Sequence, residues 1–161
     1  MNRFVVILGT THELQGAEKR GGIASDLLYM LLLKRLIVDE RIDFIFEEAT
    51  GLGPTIAEDL SLSKLGPDRY WDVDPPRGER EKFGIPTQSN DPFMVGSPPV
   101  AAFANWLFND VHARREELWI ERVRKQDFKR ALMICGENHT LSFAFRLTAA
   151  NFAVKSVTFV S

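Results

Sequence analysis

Two apolar runs, one near each end of the chain, are each followed by glycine, two further residues and histidine. They are Phe4 to His12 (FVVILGTTH) and Ala131 to His139 (ALMICGENH). Neither run alternates with polar residues, which is typical of a strand covered on both faces in a parallel sheet. Glycine should end each strand, because it lets the backbone turn tightly and lets a ligand come close. We therefore expect both histidines at the carboxyl ends of strands, where open α/β sheets bind ligands.

The composition limits the class of protein. The 161 residues are 45% hydrophobic, so we assign 1–161 to a single α/β domain with its own core. The formal charge of −2 gives no electrostatic footprint for nucleic acid or an anionic membrane. The single cysteine, Cys135, lies in an apolar run and is predicted to be a buried thiol. The first apolar run is too short for a signal peptide or a membrane span, so we expect a cytoplasmic protein.

Hydrophobic periodicity and turn residues predict alternating strands and helices. The predicted strands are Phe4 to Leu8, Ile42 to Phe46, Tyr70 to Asp74, Ala131 to Cys135 and Val154 to Val160. The predicted helices are Ile23 to Val38, Pro54 to Leu65, Gly78 to Phe83, Val100 to Gln126 and Thr140 to Asn151. Seven of the eight prolines fall in a segment at about 66–99, of which Ile85 to Pro99 should be a long ordered loop.

This order of elements predicts a three-layer α/β fold with a mostly parallel five-stranded sheet and helices on both faces. If the first three strands wind outward in one direction and the last two in the other, the strand order is 3-2-1-4-5. The two Gly-x-x-His loops then flank the switch point of the sheet. The second strand delivers Glu47 and Glu48 to the same edge, and the third delivers Asp74.

His12, His139 and a glutamate at one edge suit two kinds of hydrolytic chemistry. Two imidazoles and a carboxylate form an open three-ligand site for zinc, manganese or iron, and such a metal acidifies a bound water. Without a metal, a glutamate–histidine pair acts as a general base on water, because the carboxylate orients the ring and stabilises its protonated form. Either chemistry uses His12, Glu48 and His139, with Glu47 as the second candidate carboxylate.

Further residues at this edge are candidates for contacting the substrate. The glycines let it approach the backbone, and the acidic and amide side chains lie beside the histidines or after a strand. The predicted substrate-binding residues are Gly9, Glu13, Asp74, Gly136, Glu137 and Asn138. The helix that follows His139 presents amide groups that favour an anionic group.

The longest predicted helix carries a charged residue on its apolar stripe. The stripe consists of Ala104, Leu107, Phe108, Val111, Leu118 and Trp119. At about 100° per residue, Arg115 projects near the middle of the stripe, His112 lies toward its edge and Glu117 points away. A buried arginine is rarely unpaired, so Arg115 either pairs with a structural carboxylate or reaches the site to stabilise an anionic group. His112 is interpreted as a partly exposed surface residue.

The paired Gly-x-x-His motifs, the strand-end Glu47-Glu48 and the helical stretch from Arg115 to Trp119 (REELW) resemble the TraB/TIKI, ChaN and erythromycin-esterase-like superfamily. Known members of that group include a metal-dependent protease, a macrolide esterase and a haem-binding protein. The resemblance implies an α/β fold with a site at the strand ends, and it transfers the location of the site better than the substrate. This chain is short for the catalytic domains of that superfamily.

The sequence thus predicts a small cytosolic hydrolase for a small-molecule or peptide substrate, with a divalent zinc, manganese or iron ion or with no cofactor. Two alternatives stay open: a ligand-binding or regulatory module on the same fold, and an interaction protein such as an immunity or host-defence partner. A flat surface that exposes Trp71, Phe93 or Trp106 would favour the interaction protein. No nucleic-acid or membrane partner is expected, and the oligomeric state stays open.

Overall fold

The structure is a computed structural model that describes residues 3–11, 23–49, 54–85 and 98–159, with the side chains of all these except 23, 24, 77 and 98–110. Several predictions lie outside the described residues. They concern His12, Glu13, Phe93, the side chain of Trp106 and most of the loop between Ile85 and Pro99. The assignment of 1–161 to a single domain also stays a prediction.

Strands and helices alternate in the described part of the chain. The strands are β1 (Phe4–Thr10), β2 (Phe44–Glu47), β3 (Tyr70–Asp72), β4 (Arg130–Gly136) and β5 (Ala153–Thr158). The helices are α1 (Ile23–Asp39), α2 (Ile56–Lys64), α3 (Arg77–Lys82), α4 (Pro98–Lys125) and α5 (Thr140–Ala149). A short 3₁₀ turn, Glu137–His139, joins β4 to α5. Each predicted strand and helix is therefore present.

The five strands form one parallel sheet in the order β3-β2-β4-β1-β5. A mostly parallel α/β sheet was the prediction and is confirmed, but the predicted order 3-2-1-4-5 is wrong because β4 lies between β1 and β2. This central place suits β4, since residues 131–136 are all buried and a central strand covered on both faces is shielded from water. As a result, the end of β2 lies beside the turn that carries His139.

Helices cover both faces of the sheet. Alternate side chains of each strand point to opposite faces, so each face presents apolar side chains that pack against helices. On the α4 and α5 face, the core includes Val5, Ile7, Phe44, Phe46, Met133, Trp119, Val123, Phe143 and Leu147. On the α1 and α2 face, it includes Val6, Leu8, Ile45, Leu132, Ile134, Tyr29, Leu33 and Leu60. The predicted three-layer arrangement is thus confirmed.

Some predicted boundaries are wrong for local reasons. Gly9 does not end β1, which continues to Thr10. The second helix begins at Ile56 instead of Pro54, because the Thr55 hydroxyl caps it by accepting from the backbone N–H of Glu58 at 3.1 Å. Strand β3 ends at Asp72, because the backbone N–H of Asp74 turns back to the Asp72 side chain at 2.9 Å.

Two observations bear on expectations drawn from composition. Cys135 is fully buried in the sheet, as predicted, and burial raises the pKa of its thiol. This cysteine is therefore a core residue. In the described ranges, the helices are too short or too polar to span a membrane.

Candidate functional site

Four of the predicted site residues meet on the face of the sheet covered by α4. Glu48 follows β2, Asp74 follows β3, His139 ends the turn after β4, and Arg115 projects from α4. None of the four is more than 6% exposed. They come together because the carboxyl ends of parallel strands lie at one edge of a sheet. The structure therefore places a polar cluster where the sequence predicted the site.

The adjacent residues Glu47 and Glu48 make contacts on opposite faces of the sheet, as strand alternation requires. Glu48 contacts α4, whereas Glu47 lies toward α1 and α2. The hydroxyls of Thr55 and Tyr70 donate to Glu47 Oε2 at 2.5 and 2.8 Å. Burial raises the pKa of Glu47 to about 7. Of the two candidate carboxylates, only Glu48 lies beside His139 and Arg115, and Glu47 is buried in a separate polar contact.

Arg115 ties together the ends of two strands. Its Nη2 donates to Glu48 Oε1 at 2.6 Å and to Asp74 Oδ1 at 2.8 Å, and its Nε donates to the same Asp74 oxygen at 3.0 Å. Arg80 pairs with the other oxygen of Asp74, and the Gly136 N–H donates to Glu48 Oε2 at 2.9 Å. The alternative in which Arg115 pairs with buried carboxylates is therefore confirmed, and its stabilising an anionic group stays a prediction.

His139 is held by a glutamate that the sequence analysis missed. Its Nδ1 lies 2.9 Å from Glu116 Oε1, and the Ser142 hydroxyl donates to that oxygen at 2.5 Å. The Nε of Arg146 lies 3.0 Å from Glu116 Oε2. A carboxylate at Nδ1 keeps a proton on that nitrogen, so Nε2 of the neutral ring is an acceptor. Nε2 lies 4.0 Å from Glu48 Oε1, beyond hydrogen-bonding distance of that oxygen.

Helical spacing contained a signal for Glu116. The fully or largely buried residues of α4 include Trp119, Ile120 and Val123, and Glu116 precedes them by three, four and seven positions. Those offsets share one helical face. The predicted stripe instead ran through Leu118, which is only half-buried. A charged residue on the correct face would have required a buried partner.

His112 lies closer to the site than predicted. Its ring stacks on that of His139, with centroids 4.3 Å apart and an interplanar angle of 25°. Burial, followed by the charges of His139 and Arg115, lowers the pKa of His112 to about 4, so its ring is neutral at pH 7. The prediction that His112 is partly exposed is confirmed, because its side chain is of intermediate burial, but its ring lies against His139 of the cluster, which the sequence analysis did not predict.

The described donors do not by themselves form a metal site. Among the described ranges, no group of three His, Cys, Asp or Glu side chains could hold a metal ion. Two ligands of one tetrahedral zinc lie about 3.3 Å apart, whereas His139 Nε2 and Glu48 Oε1 are 4.0 Å apart. The Arg115 guanidinium also contacts that oxygen and would repel a cation. The predicted ligand set of His12, Glu48 and His139 depends on His12 and stays a prediction.

No family model matches this chain, and no curated protein matches it. The resemblance to the TraB/TIKI, ChaN and erythromycin-esterase-like superfamily therefore stays a prediction that rests on short motifs.

The remaining predicted substrate-binding residues divide into packed and exposed positions. A Cβ atom on Gly9 would overlap Thr140 Oγ1 and lie 3.3 Å from Glu137 Cα. The close approach that glycine permits here is thus made by the turn after β4 instead of a ligand. Gly136 is buried and donates its N–H to Glu48, whereas Glu137 and Asn138 are exposed at the strand ends.

Replacing Gly9 with alanine should lower the free energy of unfolding by about 1–3 kcal/mol, because the added methyl group displaces Thr140 from β1. Chemical denaturation would measure this. Adding Thr140→Ala should recover part of the loss, since it removes the overlapping oxygen. Gly78→Ala is the matched control, because nothing lies within 4 Å of a Cβ there. Equal effects at Gly9 and Gly78 would show that the overlap has no energetic weight.

Proposed function

We propose that this chain is a small hydrolase in which His139, oriented by Glu116, acts as a general base on a water molecule beside Glu48. The observation that carries the proposal is the 2.9 Å contact between His139 Nδ1 and Glu116 Oε1, with Nε2 at 4.0 Å from Glu48. A carboxylate–imidazole pair fixes the tautomer of the ring and stabilises the imidazolium that forms on proton transfer.

In the proposed reaction the substrate is an ester, a peptide or a phosphoester. Nε2 of His139 takes a proton from water while the water oxygen forms a bond to the carbonyl carbon or phosphorus. The bond to the leaving group then breaks, and the imidazolium returns the proton to that group. Glu116 balances the positive charge of the ring. Glu48, which Arg115 and the Gly136 N–H hold in place, accepts a hydrogen bond from the water and orients it.

The neighbouring strand end supports the location of the proposed site. Thr10 at the end of β1 lies opposite Gly136 at the end of β4, so these two strands end side by side. The exposed Glu137 and Asn138 border the same edge and are proposed to contact the substrate. In a metal-dependent version of the mechanism, the predicted ligands His12, Glu48 and His139 would hold zinc, manganese or iron, which would acidify the water. We assign the activity to the cytoplasm.

One observation favours a second candidate, a ligand-binding or regulatory module without turnover. The polar atoms of the cluster bond mainly to each other: both oxygens of Glu48 accept protein hydrogen bonds, and His139 is only 3% exposed. In that case the cluster serves to fix α4 on the strand ends. The presence or absence of turnover distinguishes the two candidates.

The test is hydrolysis of a panel containing a nitrophenyl ester, a nitrophenyl phosphate and a peptide nitroanilide. We expect Glu116→Gln and His139→Ala to lower kcat/KM by about 10²–10⁴-fold. Glu116→Gln should also change the pH profile, because the ring loses the charge that orients it. Glu117→Gln is the matched control, since Glu117 is the exposed neighbour on α4. Turnover that survives His139→Ala would refute the mechanism, and no turnover at all would favour the binding module.

Elemental analysis of the same preparations distinguishes the metal-free version of the proposed mechanism from the metal-dependent version. The metal-free version predicts activity without bound metal, unchanged by a chelator. Near-stoichiometric zinc, manganese or iron that disappears in a His12→Ala/His139→Ala double variant would instead establish the metal-dependent version.

A further inference from the structure

A groove runs between α1 and α2, on the opposite side of the sheet from the His139 cluster. Its volume is about 600 Å³, within the range of pockets that bind ligands. Its apolar lining comes from Leu27 and Met30 on α1 and from Ile56 and Leu60 on α2. Neither the fold nor the proposed hydrolase reaction accounts for this groove.

The apolar surface continues beyond the groove onto α1. Leu27, Leu28 and Leu31 are 49%, 57% and 51% exposed. They lie within about one turn of the helix, so they form one patch instead of scattered side chains. A contiguous exposed apolar patch next to a groove marks an interaction site.

The polar part of the lining is acidic. It consists of Asp26, Asp59 and Ser63, and among the residues that the structure describes no lysine or arginine lines the groove. Asp26 Oδ1 is buried and has no hydrogen-bond partner among the described residues. Both aspartates lie in the first turn of a helix, where the helix dipole favours a carboxylate, but the dipole supplies no donor to the buried oxygen. A cationic donor from a ligand would supply one.

We infer that this groove binds an amphipathic helix of a partner protein, with large aliphatic residues on one face and lysine or arginine beside them. Two helices bound the groove, and α2 with its nine residues is about 13.5 Å long, which matches two to three turns of a docked helix. Helices in such grooves insert apolar residues spaced three, four and seven apart. The exposed leucines of α1 extend the contact beyond the size of a small molecule, and the aspartates select a basic partner.

The probes are two synthetic 14-residue helical peptides: one has leucine on one face and lysine on the other, and the second has glutamate in place of lysine. Fluorescence anisotropy measures their binding to the full chain. We expect saturable binding of the lysine peptide and binding at least about tenfold weaker for the glutamate peptide. Asp59→Lys and Leu27→Glu should each weaken the lysine peptide about tenfold. Both positions are exposed, and thermal unfolding would verify that the variants fold.

Leu141→Glu is the matched control, because Leu141 is 83% exposed on α5, on the other side of the sheet. It should leave the affinity unchanged. Equal binding of both peptides, or no effect of Asp59→Lys and Leu27→Glu, would overturn the inference by showing that contact is nonspecific or elsewhere. No saturable binding would also overturn it. Saturable binding of octylammonium without binding of the lysine peptide would overturn the inference of a helical partner and indicate that the groove binds a small cationic ligand.

Discussion

Replacing Arg115 with methionine is expected to lower the free energy of unfolding by about 3–5 kcal/mol, since it removes one partner of a buried ion pair. Arg115 bonds to Glu48 and Asp74, and all three side chains are almost fully buried. Without the guanidinium, Glu48 would keep only the Gly136 N–H among these contacts. Asp74 would depend on Arg80. Two buried carboxylates would then lack much of the charge that compensates them.

Urea denaturation of wild type and variant would measure this loss. Arg124→Met is the matched control, because it changes an exposed arginine on the same helix and should stay within about 0.5 kcal/mol. Adding Asp74→Asn to Arg115→Met should cost less than the sum of the single changes, because it removes one of the uncompensated charges. A loss below about 1 kcal/mol for Arg115→Met would mean that the ion pairs do not stabilise the fold.

Replacing Glu47 with glutamine is expected to make stability less dependent on pH. Glu47 is fully buried, its Oε1 has no hydrogen-bond partner among the described residues, and its pKa is raised from 4.5 to about 7. Below pH 4.5 the Glu47 carboxyl is neutral in both the folded and the unfolded chain, so its burial does not lower the free energy of unfolding through a charge. As the pH rises, the unfolded chain ionises first, so stability falls until the folded state also ionises near pH 7. The free energy of unfolding falls by about 3 kcal/mol in total over this pH range.

The measurement is the free energy of unfolding between pH 4.5 and 8.5. The stability of Glu47→Gln relative to wild type should rise by about 3 kcal/mol across this range. A constant offset from the amide does not affect that rise. Glu121→Gln, at an exposed position of α4, should show no such trend. A difference between Glu47→Gln and wild type that does not change with pH would show that Glu47 titrates alike in both states.

The sequence predicted the elements and much of the polar cluster at the strand ends, because both depend on local patterns. Uninterrupted apolar runs identified β1 and β4, and spacing on α4 identified Arg115 as buried. The strand-end rule placed Glu48 and His139 at one edge. Local rules failed where two faces of α4 both carried apolar residues, so Glu116 and the stacking of His112 on His139 were missed.

Tertiary structure decided what local patterns leave open. The sequence by itself determined that strands would alternate with helices in a parallel sheet, since strand and helix periods are properties of neighbouring residues. Only the tertiary structure placed β4 between β1 and β2, because strand order depends on contacts between residues far apart in the chain. That insertion sets the end of β2 against the turn after β4. It thereby brings Glu48 to His139 and leaves Glu47, one residue away, on the opposite face.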